Sequence, residues 1–343
     1  MRVPFHKLVE FGVDFMSRLG VPGETARYAA QIVVETEAMG RTTHGIVQYR
    51  AIYESLKSGI VPDAEPEIVR QRPASVLMDG TRCLGVASAK RAIELGRTIA
   101  RNVGISFVAV RNSYWIGAIG TYLLPLAQDG FVAYVWAQTN TCKDCAPFGG
   151  IDPRFSTNPV AFACCGGELP VIADFSTATM SMRKALVMVE RGEKSALPRF
   201  LTSEGIPTTD PSVVKEGGTL MFMGCECDGY KGYALSFFNE ILAALSGGGA
   251  NNPSSKPHQA FSFLILDPDA FAGRDFFCNE MKRFIAYVKS SRPRNGVKKI
   301  WIPGEQAFSR LADSKKHGVL LDNKAVQLLK QIAEETGISF PIS

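Results

Sequence analysis

From residue 75 onward the chain switches repeatedly between short β-branched or aromatic runs and longer stretches of helical periodicity, and that alternation narrows the fold to an α/β layered core. The runs are Ser75-Val-Leu-Met-Asp, Ile105-Ser-Phe-Val-Ala-Val-Arg, Phe131-Val-Ala-Tyr-Val-Trp, Pro159-Val-Ala-Phe-Ala, Pro170-Val-Ile-Ala-Asp and Phe261-Ser-Phe-Leu-Ile-Leu-Asp. Between and after them, helices are expected over Ala87 to Asn102, over residues 232 to 246 with Gly247-Gly-Gly as the stop, and over about Asn323 to Thr336. Ahead of residue 75 the texture is helical only. Phe5, Leu8, Val9, Val13, Phe15, Met16 and Leu19 recur at helical spacing until Gly20 and Pro22. A second helix is expected from about Glu24 to Met39, ended by Gly40 in a left-handed conformation. A third is expected to open at Thr42 or Thr43, whose hydroxyl can cap it, to carry Ile46, Tyr49, Tyr53 and Leu56 inward, and to end at Gly59. The expected organisation is a helical unit over residues 1–74, joined by 309–343, packed on an α/β core over 75–308.

Composition agrees with a globular chain and excludes several classes. Of 343 residues, 46% are hydrophobic and 21% charged, close to globular averages, which excludes disorder, collagen and coiled coil as the main character. The net charge of +5 leaves room for an anionic ligand without demanding nucleic acid. No stretch reaches the ~18 apolar residues of a membrane helix, and the first residues do not form a secretory apolar run. The chain therefore reads as cytoplasmic, with no membrane partner. Eight cysteines are scattered without a disulfide framework. Cys142/Cys145 and Cys225/Cys227 lie some 80 residues apart, and nothing local imposes the tetrahedral thiolates of a zinc site. Free thiols and no metal are expected.

The dinucleotide fingerprint Gly-x-Gly-x-x-Gly and the Walker phosphate loop are both absent, so neither a Rossmann nor a P-loop fold is supported. Of the four histidines, His44 stands out. It lies between Thr43 and Gly45 at the expected start of a helix, whose positive dipole end lowers an imidazole pKa, and the glycine clears an approach for a ligand. The run from Lys282 to Lys316 carries ten Lys or Arg against Glu305 and Asp313 and is expected to be a solvated loop. No helix-turn-helix, zinc-finger or RNP pattern accompanies it, so nucleic acid is not an expected partner.

Several motifs in order along nearly the whole chain resemble one family. Arg41-Thr-Thr-His-Gly-Ile, followed by Ser58-Gly-Ile-Val-Pro, is similar to the Ser-His-Gly motif of the malate/L-lactate dehydrogenase family, which also holds ureidoglycolate and sulfolactate dehydrogenases, diketogulonate reductases and cyclic-imine reductases. Arg111-Asn-Ser-Tyr-Trp-Ile-Gly resembles its Arg-Asn-Ser-x-His-x-Gly turn. Ala146-Pro-Phe-Gly-Gly, Ser156-Thr-Asn-Pro and Asp174-Phe-Ser-Thr-Ala-Thr-Met resemble its later segments, and Gly205-Ile-Pro-Thr-Thr-Asp-Pro, Gly229-Tyr-Lys-Gly-Tyr and Ile302-Pro-Gly-Glu close the series.

The resemblance implies a non-Rossmann mixed-sheet core of the L-sulfolactate dehydrogenase-like type and a homodimer that uses NAD or NADP. It implies hydride transfer to or from C2 of a 2-oxo or 2-hydroxy acid. Reduction of a cyclic imine carboxylate, or nucleotide binding without turnover, are the alternatives. His44 maps onto the proton donor and acceptor, and Asp174 onto a group that either orients the imidazole or faces the cofactor. The cofactor segments map onto Asp174, Phe175, Ser176, Thr177, Ala178, Thr179 and Met180, onto Tyr230 and Lys231, and onto Gly304, Glu305 and Gln306. Hydroxyls at 176, 177 and 179 and the Lys231 charge suit a pyrophosphate, and glycines at 229, 232 and 304 suit a close backbone approach. Substrate contacts map onto Gln48, Arg50, Ser113, Trp115 and Thr157. Two of these depart from the family pattern. Trp115 stands where the family has a second histidine, and Gln48 where it often has an arginine, which removes a bidentate carboxylate clamp.

Overall fold

A computed structural model describes residues 1–252, 254, 256 and 258–341. The chain begins with strand β1 (Arg2–Val3) and helices α1 (Phe5–Arg18), α2 (Gly23–Ala38) and α3 (Gln48–Lys57). Leu8, Phe11, Phe15 and Met16 of α1 are buried against Ala26, Ala30 and Val34 of α2. These helices close up at Gly12, where an added Cβ would stand 2.1 Å from the Tyr49 hydroxyl of α3.

Next come β2 (Glu67–Arg72), β3 (Ser75–Asp79), α4 (Gly85–Val103), β4 (Ile105–Ser113), a 3-10 turn at Ile119–Leu123, α5 (Leu124–Gln128), β5 (Val132–Thr139), β6 (Val160–Cys164) and β7 (Val171–Phe175). They are followed by α6 (Met182–Glu190), the two-residue strands β8 (Phe200–Leu201), β9 (Pro207–Thr208) and β10 (Thr219–Leu220), α7 (Cys225–Leu245), β11 (Gln259–Leu266), α8 (Arg274–Lys289), α9 (Glu305–His317), β12 (Val319–Leu320) and α10 (Asn323–Thr336). Seven strands form the main sheet in the order β2-β3-β4-β11-β5-β6-β7. Only β3 and β4 pair in parallel there, because α4 provides the crossover that a parallel pair requires. The remaining pairs are antiparallel, a topology unlike the parallel Rossmann sheet. Phe261, Phe263 and Ile265 of β11 join Val108 and Val110 of β4 and Val135 of β5 in one core, which continues without a break into α1, α2 and α10. The first residues reach the segment ahead of α10: β1 pairs with β12, and the Met1 ammonium donates to Leu321 O at 2.9 Å. A smaller cluster of Cys145, Phe155, Ala178, Met180 and Phe200 fills the space beside β8–β10. Among the described residues no helix is long and apolar enough to cross a membrane.

Four local expectations are corrected. Helix α3 starts at Gln48, with no side-chain cap, and residues 42–47 form turns, because the buried Glu37 carboxylate takes the Ile46 N–H that a helix start would otherwise present. Helix α7 starts at Cys225, a full turn and more before residue 232. Its glycine-rich opening therefore lies on a helix, where Gly232 lets it press against Thr177 and Met223. The basic run is not one loop, since Lys282–Lys289 ends α8 and residues 305–316 lie in α9. Strand β2 breaks the all-helical texture expected ahead of residue 75; all six of its residues are exposed, so it carries no alternation of buried and exposed positions.

Candidate active site

His44 sits in the turn joining α2 to α3, half-buried, with Thr43 Oγ1 2.9 Å from its Nδ1 and the Trp115 ring centred 5.8 Å away. Burial lowers its pKa below 6.5. Asp174 opposes this with its negative charge, while Arg41 and Arg183 reinforce it. The cause is therefore desolvation and nearby guanidinium groups, and the expected helix terminus plays no part, as α3 begins four residues later.

Asp174 is the penultimate residue of β7, and its side chain is only 8% exposed. The carboxylate accepts from the Arg41 guanidinium and, at 2.9 Å, from Gly120 N–H, so it acts on His44 through charge rather than through a hydrogen bond. Gly120 is obligatory for this arrangement: a Cβ there would stand 2.6 Å from Asp174 Cβ. Neither Arg41 nor Gly120 was singled out as an Asp174 partner in the sequence, since the chain separations of 133 and 54 residues carry no local pattern.

His44, Gln48 and Trp115 line one cavity, whose other walls include Ala29, Ile32, Val33, Ile52, Leu84 and Ile116. Gln48 is 6% exposed, and its Nε2 has no protein partner among the described residues. A buried amide donor without a partner is costly, which makes it a ready contact for an acceptor on a ligand. The other substrate candidates lie elsewhere. Arg50 turns outward to Glu54 at 2.9 Å and Glu335 at 3.0 Å. Ser113 is buried, with its hydroxyl donating to Tyr114 O. Thr157 presents its carbonyl to the Ser176 and Thr177 hydroxyls, at 3.0 and 2.9 Å.

The three segments mapped onto the cofactor meet around the edge strand β7. Ile172 N donates to Pro303 O, the Gly304 Cα packs against Ile172, and Gly232 packs against Thr177 O. Their donors are used differently from expectation. Ser176 and Thr177 hydroxyls donate to Thr157 O, and the Thr179 hydroxyl to Arg199 O. Ala178 and Met180 are core residues, whereas Phe175 is half-buried. Lys231 is exposed and paired with Asp228 at 2.7 Å, and Tyr230 meets Phe148 edge-on. Glu305 is held by Lys289 at 2.6 Å and by Ile302 N–H at 3.0 Å. Gly229 and Gly232 make room for Phe148, Thr177 and Met223 of the protein itself.

Next to Asp174 lies an open cleft lined by Arg41, Trp301, Gly304, Gln306 and Arg310. Two guanidinium groups, an amide and an indole face form a donor set that fits an anionic dinucleotide. Trp301 and Arg310 were not among the expected site residues, although Trp301 immediately precedes Ile302-Pro-Gly-Glu. All eight cysteines are free thiols, and among the described residues no cluster of His, Cys, Asp and Glu is grouped to hold a metal.

Comparison with known proteins places this geometry. Residues 3–330 match the model of the malate/L-lactate dehydrogenase family. The chain is 32% identical to an L-sulfolactate dehydrogenase of Methanocaldococcus jannaschii, over 95% of each chain. It is 30% identical to a malate dehydrogenase of Pyrococcus horikoshii, over 98% of this chain and 96% of that one. The solved sulfolactate dehydrogenase from Methanocaldococcus jannaschii superposes with a TM-score of 0.88, covering 99% of this chain and 98% of that chain. The mixed sheet and the matches over nearly the whole chain together establish that this chain belongs to the malate/L-lactate dehydrogenase family, an oxidoreductase with the non-Rossmann fold of the L-sulfolactate dehydrogenase type.

Proposed function

We propose that this oxidoreductase uses NAD or NADP to interconvert a 2-oxo acid and its 2-hydroxy acid, with His44 as the proton donor and acceptor. The observation that carries the reading is the His44 imidazole itself, lowered in pKa by burial, beside the Asp174–Arg41 pair and at the mouth of an apolar cavity. The nicotinamide supplies or accepts the hydride when bound. Arg41, Gln306, Arg310 and Trp301 are the residues to hold the dinucleotide, and the protein's own chemical task is to move one proton. Thr43 engages Nδ1, and Nε2 has no protein partner among the described residues, so Nε2 is the nitrogen that exchanges a proton with the substrate oxygen.

The cavity selects by shape and polarity. Trp115 supplies an indole face where an imidazole would be polar, Gln48 offers a neutral amide rather than a cation, and the remaining walls are largely aliphatic. Substrates with an apolar or ring-bearing side chain are therefore favoured over malate or its oxo form. Burying part of a phenyl-sized group at ~25 cal/mol per Å² discriminates by one to two kcal/mol, roughly tenfold. A panel of 2-oxo acids and cyclic imines, assayed with NADH and with NADPH, tests the assignment. Trp115→His is expected to shift kcat/KM about tenfold toward small polar 2-oxo acids. An unchanged ratio across the panel makes Trp115 a packing residue, and no turnover of any member with either cofactor overturns the proposed reaction.

The assembly we infer is a homodimer. Helix α8 buries none of its side chains and exposes Phe276, Phe284 and Tyr287, while α7 exposes Phe237, Phe238, Ile241 and Leu245 along one face. Helices apolar on their outer side call for a covering partner. Sedimentation at micromolar concentration is expected to give twice the mass of the chain, and a monomer there refutes the dimer.

A further inference from the structure

Glu37 lies near the end of α2, 5% exposed, directly beneath the His44 turn. Its Oε2 accepts a hydrogen bond from Ile46 N–H at 2.8 Å, in a buried setting. The turn lies flat on this carboxyl group because residue 45 is glycine. A Cβ at that position would stand 2.1 Å from Glu37 Oε2 and 2.8 Å from Glu37 Cα. Two neighbours of His44 are thus fixed by one side chain, residue 45 by contact and residue 46 by its amide. The peptide that follows carries Gln48 into the same cavity. Ser, Thr or Asp capping, the usual way to tie such an amide, is missing from α3.

We propose that Glu37 is a positioning residue, which clamps the His44 turn through Ile46 N–H and Gly45 and so fixes where the imidazole stands. The inference rests on the assignment of His44 as the proton donor and acceptor. Catalytic groups must be held within a fraction of an ångström, and a misplacement of about 1 Å costs up to ~10²-fold. Burial pushes Glu37 up to about 7, with Ile46 N–H pulling it down and the Asp322 carboxylate at the start of α10 pushing it up. On its own helix Glu35 is engaged by Gln31 and faces Lys315, and among the described residues no cation pairs with Glu37. Because the folded value exceeds the ordinary 4.5, the folded state keeps the proton longer. Glu37 therefore subtracts stability progressively as pH rises from about 4.5 to 7.

The test compares Glu37→Leu with Glu37→Gln, whose amide oxygen still accepts from Ile46. Three quantities are read: kcat at saturating substrate, NADH or NADPH affinity by fluorescence, and hydrogen exchange of the Ile46 amide. The leucine variant is expected to lose 10- to 100-fold in kcat, to bind cofactor within about threefold of wild type, and to lose protection at Ile46. The glutamine variant is expected to keep that protection, to recover kcat to within about threefold of wild type, and to lose less stability between pH 4.5 and 7 than wild type does. Should the leucine variant fail to fold, Gly45→Ala, which displaces the same contact, is expected to show the same pair of losses. Unchanged kcat and Ile46 protection in the leucine or alanine variant overturns the proposal, as does an equal loss of kcat in leucine and glutamine variants. If His44 proves dispensable, kcat no longer reports on the clamp, but Ile46 exchange still decides whether Glu37 holds the turn.

Discussion

His44→Ala is expected to lower turnover by ~10² to 10⁴ while leaving NADH or NADPH binding within a few-fold of wild type, because general acid–base catalysis contributes about that factor. The imidazole is not among the side chains lining the cleft proposed to hold the dinucleotide, so its removal does not unmake that cleft. A pH profile sharpens the test. Burial sets the His44 pKa below 6.5, so in the direction of reduction, which needs the imidazolium, kcat falls as pH rises through that lowered value. In the direction of oxidation, which needs the neutral ring, kcat rises over the same window. Near-wild-type turnover by the alanine variant with a saturating substrate would remove His44 from the mechanism.

Asp174→Asn should cost about 2 kcal/mol of stability, which for a chain of this size lowers Tm by roughly 3 °C. The asparagine carbonyl still accepts from Gly120 N–H, but Arg41 loses its counter-charge inside a site where Asp174 is 8% exposed. Arg41 keeps 29% of its side chain in contact with water, and for that reason the cost falls below that of breaking a fully buried pair. The same change acts on catalysis with a defined sign. Asp174 raises the His44 pKa by its charge, so its loss moves the kinetic pKa of reduction to lower pH. A variant with wild-type melting and an unmoved profile would show that the pair neither supports the turn nor tunes the imidazole.

The amino-acid pattern by itself determined the elements whose own side chains carry the full period. Helix α10 runs over the expected Asn323–Thr336, since a continuous apolar stripe, the Asp322 side chain on Ala325 N–H and Gly337 in a left-handed conformation all act within a few residues. Strands β3 to β7 fall on the apolar runs, and the ordered motifs identified the family and brought His44, Gln48, Trp115 and Asp174 into view. The tertiary structure alone decided the rest. That β11 enters the middle of the sheet between β4 and β5 depends on long-range pairing that no local spacing encodes. Arg50 matched a plausible position yet belongs to Glu335, 285 residues away. Arg41 and Gly120 reach Asp174, and Glu37 reaches Ile46, through contacts set by how β7, α2 and the 3-10 turn pack, and the low pKa of His44 comes from that burial. Periodicity reports which face of an element is apolar; hydrogen-bond partners and desolvation belong to the space between elements, which exists only once they have packed.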